Sequence, residues 1–137
     1  MIWDESLAVG NEIIDHQHQQ LFSIATQLET LFEAYSETDD NYDEIIRILI
    51  KLHLYTMKHF EAEEKILEAV DFPGLAMHKK EHQRFILFLE RIKVEAIETD
   101  RYQTLLDLLA YVVNWIMSHV KGTDSAYVPY LPCEVKL

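Results

Sequence analysis

Apolar residues recur at intervals of three and four along most of this chain, which is the pattern of amphipathic helices. The first such stretch passes through Leu21, Ala25 and Leu28, and His18 occupies the position where the apolar face begins. Polar or helix-breaking segments, such as Phe72-Pro73-Gly74, separate the stretches. The pattern therefore predicts four helices, at about residues 15–36, 42–70, 74–97 and 100–121.

The two ends of the chain lack this periodicity. Residues 1–14 contain Gly10-Asn11 and are expected to form an arm that ends in a turn, and residues 122–137 a short tail. Because the predicted connections are short, neighbouring helices should run antiparallel. We predict a single all-α domain over residues 1–137: an up-down-up-down antiparallel four-helix bundle with an N-terminal arm and a short C-terminal tail.

Composition narrows the function classes. The formal net charge of -12 argues against a nucleic-acid partner and against an anionic membrane surface, because both require a basic face. The N-terminus lacks a secretory pattern, and no apolar run is long enough to span a bilayer. Cys133, which is the single cysteine, fits a reducing compartment. These features predict a soluble cytoplasmic protein.

Histidines occupy inward positions on all four predicted helices. His59 and Glu63 are four residues apart on the second helix, and His78 and His82 are four apart on the third. Residues at this spacing share a helix face and can bind one metal ion. Either pair alone arises often by chance, and the isolated His59 motif is more typical of a solvated helix face.

The predicted positions of these histidines along the bundle favour a metal site over a chance occurrence. In an antiparallel bundle, His18 at the start of the first helix, His59 late in the second, His78 at the start of the third and His119 late in the fourth lie at the same end. Asp124 lies five residues after His119, where a regular helix would turn it away. A change of winding at Gly122 would bring its carboxylate back.

A metal centre removes the cost of burying these groups. Unpaired buried polar groups cost about 1 to 3 kcal/mol each, and lone charges cost more. A structural zinc takes four ligands, which is fewer than this set provides. The set suits a pair of octahedral ions with bridging carboxylates and a bridging oxygen, and it leaves one position open. The candidate ligands are His18, His59, Glu63, His78, His82, His119 and Asp124.

Over nearly its whole length the sequence resembles the hemerythrin family, specifically the single-domain bacterial members. The motifs that carry this resemblance are Trp3, Val9-Gly10, Asp15-His16-Gln17-His18, Leu21-Phe22, His59-Phe60, Glu63-Glu64, His78 with His82, and Trp115 with His119 and Asp124. The resemblance implies that His78, His82 and His119 hold one iron ion and that His18 and His59 hold the other. Glu63 and Asp124 would bridge the two ions.

The resemblance also implies the chemistry. The cofactor would be two iron ions (Fe²⁺/Fe³⁺) with a bridging oxo or hydroxo group, and dioxygen would bind reversibly at the two-histidine iron for storage, transport or delivery. An apolar pocket over that iron would exclude water. By position, its walls would be Leu21, Phe60, Trp115, Ile116 and Val120, for which plain core packing is the simpler reading. Five neutral imidazoles favour carriage over enzymatic oxidation.

Two other function classes stay open. One is a sensor or a delivery protein with an oxygen-consuming protein partner, although only a short tail follows the helices. The other is an enzyme that consumes peroxide or nitric oxide, for which no additional acid/base pair is evident. Among the remaining polar residues, His16, His53 and Glu64 are expected at the surface. Tyr55 and Tyr127 are candidates for contacts close to the ligands, and plain packing is about as probable for Tyr127.

Overall fold

Helices dominate the computed structural model, which describes residues 2–38 and 40–132. Within these residues the α-helices are α1 (Glu12–Glu33), α2 (Tyr42–Ala69), α3 (Leu75–Glu90), α4 (Val94–Thr99) and α5 (Arg101–Ser118). A π-helical turn, His119–Thr123, and a 3-10 helix, Asp124–Tyr130, continue from α5. Cys133 lies outside the described residues.

The four long helices form the predicted antiparallel bundle. α2 packs against both α1 and α3, and α5 packs against α1. His18 near the start of α1 contacts His59 in α2, with ring centroids 4.8 Å apart, and Gln27 further along α1 accepts a hydrogen bond from Lys51 earlier in α2 at 3.3 Å, so these two helices run in opposite directions. The all-α fold class is therefore confirmed. None of the described helices is both long and apolar enough to cross a membrane.

The N-terminal arm is tied to the bundle, and α1 begins earlier than predicted. The helix starts at Glu12 instead of residue 15, because the Asn11 side chain accepts a hydrogen bond from the Ile14 backbone N–H at 3.1 Å and caps it. The Asp15 carboxylate accepts the backbone N–H groups of Val9 and Gly10, at 2.7 and 3.2 Å. These bonds fix the turn that brings the arm onto the bundle.

The predicted third helix at about residues 74–97 is in fact two helices. α3 ends at Glu90, and Lys93 takes an extended backbone conformation (φ -91°, ψ 142°) before α4 begins. The change of direction buries Ile97 in the main core, and the Thr104 hydroxyl of α5 donates to the Ala96 carbonyl at 3.2 Å. Core packing therefore overrides a sequence pattern that would allow one continuous helix.

Candidate metal centre

Seven ligand-type side chains meet inside one end of the bundle. α1 supplies one of them, α2 two and α3 two, and the last two begin the π-helical turn and the 3-10 helix that follow α5. None is more than 3% exposed. They are the seven predicted from the sequence: His18, His59, Glu63, His78, His82, His119 and Asp124.

The histidines form two groups that share Glu63. In what we call the three-histidine group, ligand atoms of His78, His82, His119 and Glu63 lie within 4.8 Å of one another; in the two-histidine group the same holds for His18, His59 and Glu63. Oε1 of Glu63 lies 2.6 Å from His78 Nε2 and 3.0 Å from His82 Nε2. Its Oε2 lies 3.5 Å from His18 Nε2 and 3.4 Å from His59 Nε2. Each oxygen of one carboxylate thus faces a different group.

Asp124 spans the same two groups. Its Oδ1 lies 2.9 Å from His78 Nε2 and 3.0 Å from His119 Nε2, and its Oδ2 lies 3.0 Å from His18 Nε2. The π-helical turn makes this possible, because the Asp124 backbone N–H bonds to the His119 carbonyl five residues earlier and brings both side chains to one side. The predicted change of winding is present, but it extends over the whole turn and is not confined to Gly122.

The buried carboxylates control the charge of the imidazoles. Burial alone lowers the pKa of His18, His78 and His119, but close contacts with the Asp124 and Glu63 carboxylates and the negative charges of these groups outweigh it. The pKa of His18 and of His78 rises to about 9, and that of His119 to about 10. For His59 burial dominates and the pKa falls.

The same contacts act on the two acids. Burial opposes ionisation of Glu63 and Asp124, yet the facing histidines lower the pKa of both carboxyl groups. In the protein without metal, the centre is therefore a compact set of charges of opposite sign.

Hydrogen bonding inside the protein does not satisfy all of these atoms. Both ring nitrogens of His18 and both carboxylate oxygens of Asp124 are buried, and none of the four has a partner in hydrogen-bond geometry, although His18 Nε2 and Asp124 Oδ2 lie only 3.0 Å apart. Buried polar atoms are otherwise almost always paired, and bound cations are one way to satisfy them. Imidazole nitrogens and carboxylate oxygens in two adjoining groups fit a pair of metal ions.

Comparison with known proteins identifies the family to which the chain belongs. A family model described as the hemerythrin HHE cation binding domain matches residues 9–131. The chain belongs to the hemerythrin family. This confirms the family that the sequence motifs predicted.

Similar proteins occur in several organisms. The bacteriohemerythrin of Clostridium acetobutylicum is 32% identical over 127 residues, which cover 93% of this chain and 98% of that protein. The bacteriohemerythrin of Stenotrophomonas maltophilia is 28% identical over 131 residues, covering 93% and 78%. A crystal structure of wild-type hemerythrin superposes with a TM-score of 0.76 at 22% identity and covers 96% of this chain and 97% of that one, which shows that the fold is shared.

In this member of the family, three ligand-type imidazoles donate their outer ring N–H to polar side chains. Nδ1 of His82 donates to Glu64 at 2.8 Å, and Nδ1 of His119 donates to Glu81 at 2.8 Å. Nδ1 of His59 donates to Gln17 at 2.7 Å.

Glu64 was expected to face water, and it does so only in part. It is 26% exposed and points along the α2/α3 boundary, where it reaches His82. Sequence reasoning did not identify Glu81 or Gln17. The only available signal was that each of the three partners directly adjoins a candidate ligand in the sequence.

Aromatic rings surround the three-histidine group. The Phe60 ring stacks on that of His82 at 3.9 Å, and the Trp115 ring stacks on that of His119 at 4.3 Å. The buried Tyr127 hydroxyl donates to Glu63 Oε2 at 3.1 Å, so its contact with a ligand-type residue is direct.

The remaining residues singled out from the sequence lie outside the two groups. His16 is exposed, as expected. His53 is partly buried, with Nε2 3.7 Å from the Glu90 carboxylate. Tyr55 is partly buried and packs against the main core. Neither His53 nor Tyr55 belongs to the two ligand groups described above.

Proposed function

We propose that this chain binds two iron ions and takes up dioxygen reversibly, for storage, transport or delivery. The observation that carries the proposal is that Glu63 and Asp124 each direct their two oxygens at different histidine groups. Under this proposal His78, His82 and His119 hold one ion and His18 and His59 hold the other, with both carboxylates shared.

The donor set favours carriage over oxidation of a substrate. Di-iron oxidases built on helix bundles rely mainly on carboxylates, whereas this set contains five imidazoles and two carboxylates. Neutral imidazoles leave the centre more positive, which disfavours high-valent iron. When bound, the reduced iron pair supplies the electrons that reversible dioxygen binding requires.

Apolar side chains around the centre support the same function. Leu21, Phe60, Ile116 and Val120 are buried in the main core, and Trp115 packs against it. We assign them as the walls of the oxygen pocket, where they exclude water and external acids. Phe60 and Trp115 fix the ring orientations of His82 and His119 by stacking, so both lie closer to the three-histidine group than to the two-histidine group over which they were expected.

The decisive experiment is anaerobic reconstitution with ferrous salt, followed by metal analysis and optical spectra during cycles of oxygen addition and removal. We expect two iron ions per chain and a charge-transfer band that appears and disappears with oxygen. His119→Ala should lower the iron content. His16→Ala, an exposed histidine on the same bundle, should not.

Three results would count against the proposal. Unchanged iron content in His119→Ala would refute the ligand set. A band that does not reverse would refute carriage. Sustained consumption of oxygen, peroxide or nitric oxide would identify an enzyme instead.

A further inference from the structure

The outer nitrogens of the imidazoles have different partners in the two groups. In the three-histidine group, His82 and His119 each donate Nδ1–H to a carboxylate, Glu64 and Glu81 respectively, at 2.8 Å. In the two-histidine group, His59 donates to the neutral amide of Gln17. The buried Nδ1 of His18 makes no hydrogen bond. These partners add negative charge only beside the three-histidine group.

Both carboxylates reach across a helix boundary to the imidazole of the neighbouring element. Glu64 extends from α2 to His82 on α3, and Glu81 extends from α3 to His119 at the end of α5. Each lines a separate open cleft, of about 630 Å³ for Glu64 and about 250 Å³ for Glu81. With 26% and 33% of their side chains exposed, they keep contact with water, which lowers the cost of their charge.

A carboxylate behind a metal-bound imidazole changes the metal as well as the ring. It fixes the tautomer with Nε2 free for coordination and makes the ring a stronger electron donor. A more negative surrounding stabilises Fe³⁺ over Fe²⁺ by Coulomb attraction. An amide oxygen fixes the tautomer equally well but carries no net charge.

We propose that Glu64 and Glu81 are positioning residues that act through His82 and His119 and make the three-histidine iron the easier of the two to oxidise. This inference rests on the iron pair proposed above. It assigns the unequal redox behaviour of the two irons to residues outside the ligand set.

Charge-removing substitutions test the idea. Glu64→Gln and Glu81→Gln keep an oxygen that accepts the Nδ1–H but remove the negative charge. Gln17→Glu adds the charge behind His59 in the other group. Glu68→Gln is the matched control, because Glu68 lies one turn further along α2 and lines the same cleft as Glu64.

The readout is the ratio of ferric to ferrous iron in an anaerobic redox titration, in which each oxidised ion gives one electron to the mediator. At a fixed potential early in the titration, where the more easily oxidised ion of each pair is being titrated, we expect each Glu→Gln change to lower this ratio by up to about tenfold, and the double variant to lower it further. Gln17→Glu should raise the ratio in the later part of the titration, and Glu68→Gln should leave it unchanged throughout. If Glu64 and Glu81 had a merely structural role, the variants would bind ferric and ferrous iron less tightly to the same extent, and the ratio would not change.

The inference would be overturned if Glu64→Gln and Glu81→Gln gave the same ratio of ferric to ferrous iron as the control Glu68→Gln. Iron content measured in the same wild-type samples separates this failure from that of the proposed function. Fewer than two iron ions per chain would refute both, whereas full iron content with unmoved ratios would refute the redox assignment alone.

Discussion

At the scale of single residues, Tyr127 ties the C-terminal 3-10 helix to the centre. Its ring lies 5.5 Å from that of His78, and its hydroxyl donates to Glu63 Oε2. Burial and the nearby negative charges raise the pKa of the phenol, so it keeps its proton and serves as a donor over the whole physiological range. The hydroxyl thus holds one oxygen of the shared carboxylate in place.

Removal of this hydroxyl should weaken the protein without metal. For Tyr127→Phe we expect the free energy of unfolding to fall by about 1.5 to 3 kcal/mol, the usual range for a hydrogen bond to a charged group. Urea unfolding of the metal-free protein measures this. Tyr130→Phe is the control, because Tyr130 is exposed and should change little. Equal effects of the two substitutions would mean that the Glu63 contact contributes nothing.

Protonation of the histidines predicts proton release when metal binds. The pKa values of His18, His78 and His119 are raised to about 9, 9 and 10, so all three carry a second ring proton at pH 7. A metal ion requires the neutral ring, and His59, with its lowered pKa, is already neutral. We expect about three protons to leave per chain at pH 7.

The sign of the pH dependence follows from the same values. Raised pKa values mean that proton release is largest well below pH 9 and declines as the pH approaches 9 to 10, where the metal-free histidines lose these protons themselves. Calorimetric titration with ferrous ion in buffers of different ionisation enthalpy counts the protons. Release near zero at pH 7 would show that these rings are neutral in the folded protein.

At the scale of elements, the turn that places Asp124 does not depend on a glycine. A Cβ added at Gly122 would meet no heavy atom within 4 Å, whereas Gly10 has φ +88°, in the left-handed region. The winding of His119–Thr123 is therefore set by its π-type hydrogen bonding and by the contacts of Asp124.

Two alanine substitutions distinguish these glycines. Gly122→Ala should change stability by less than about 1 kcal/mol and leave metal binding intact, because neither space nor backbone conformation opposes a methyl group. Gly10→Ala should lower the free energy of unfolding by about 1 kcal/mol or more, since a side chain there strains the turn. Urea unfolding and iron content check both. Loss of iron in Gly122→Ala would show that the glycine is required for the turn.

The helices also differ in how well the sequence predicted their features. Helical spacing and short connections fix the height of each side chain, so the meeting of His18, His59, His78 and His119 was predictable from these two features of the sequence. The break before α4 was not, because it depends on how Ile97 packs in the core. Glu64 and Glu81 were missed for a related reason: their contacts depend on the rotation of each helix against its neighbour, which a single-helix pattern does not contain.

At the scale of the whole molecule, the centre connects the four long helices. Its ligand-type residues come from α1, α2, α3 and the segment directly after α5, so ions bound there would hold all of these elements together. At the far end of the bundle the contacts are of another kind: the Arg101 guanidinium donates to the Asn41 side chain at 3.1 Å. Ions bound at the centre would therefore stabilise the end of the bundle with the seven side chains.

Because bound metal stabilises the folded state alone, its removal should lower thermal stability. A free ferrous concentration 100-fold above Kd contributes about 2.7 kcal/mol per ion, which corresponds to a rise in Tm of roughly 10 °C for a protein of this size. Thermal unfolding under anaerobic conditions, with and without a ferrous chelator, measures the difference.

Magnesium at the same concentration is the control for that measurement, because it prefers oxygen ligands and should not bind this imidazole-rich centre. A Tm that does not change on ferrous loading would mean that the ligand-type residues of the separate helices do not act on one metal centre. An equal rise with magnesium would mean that the negative charge of the chain, and not the imidazole set, attracts the ion. A rise with ferrous ion alone is the result expected if the imidazoles of the different helices bind the metal together.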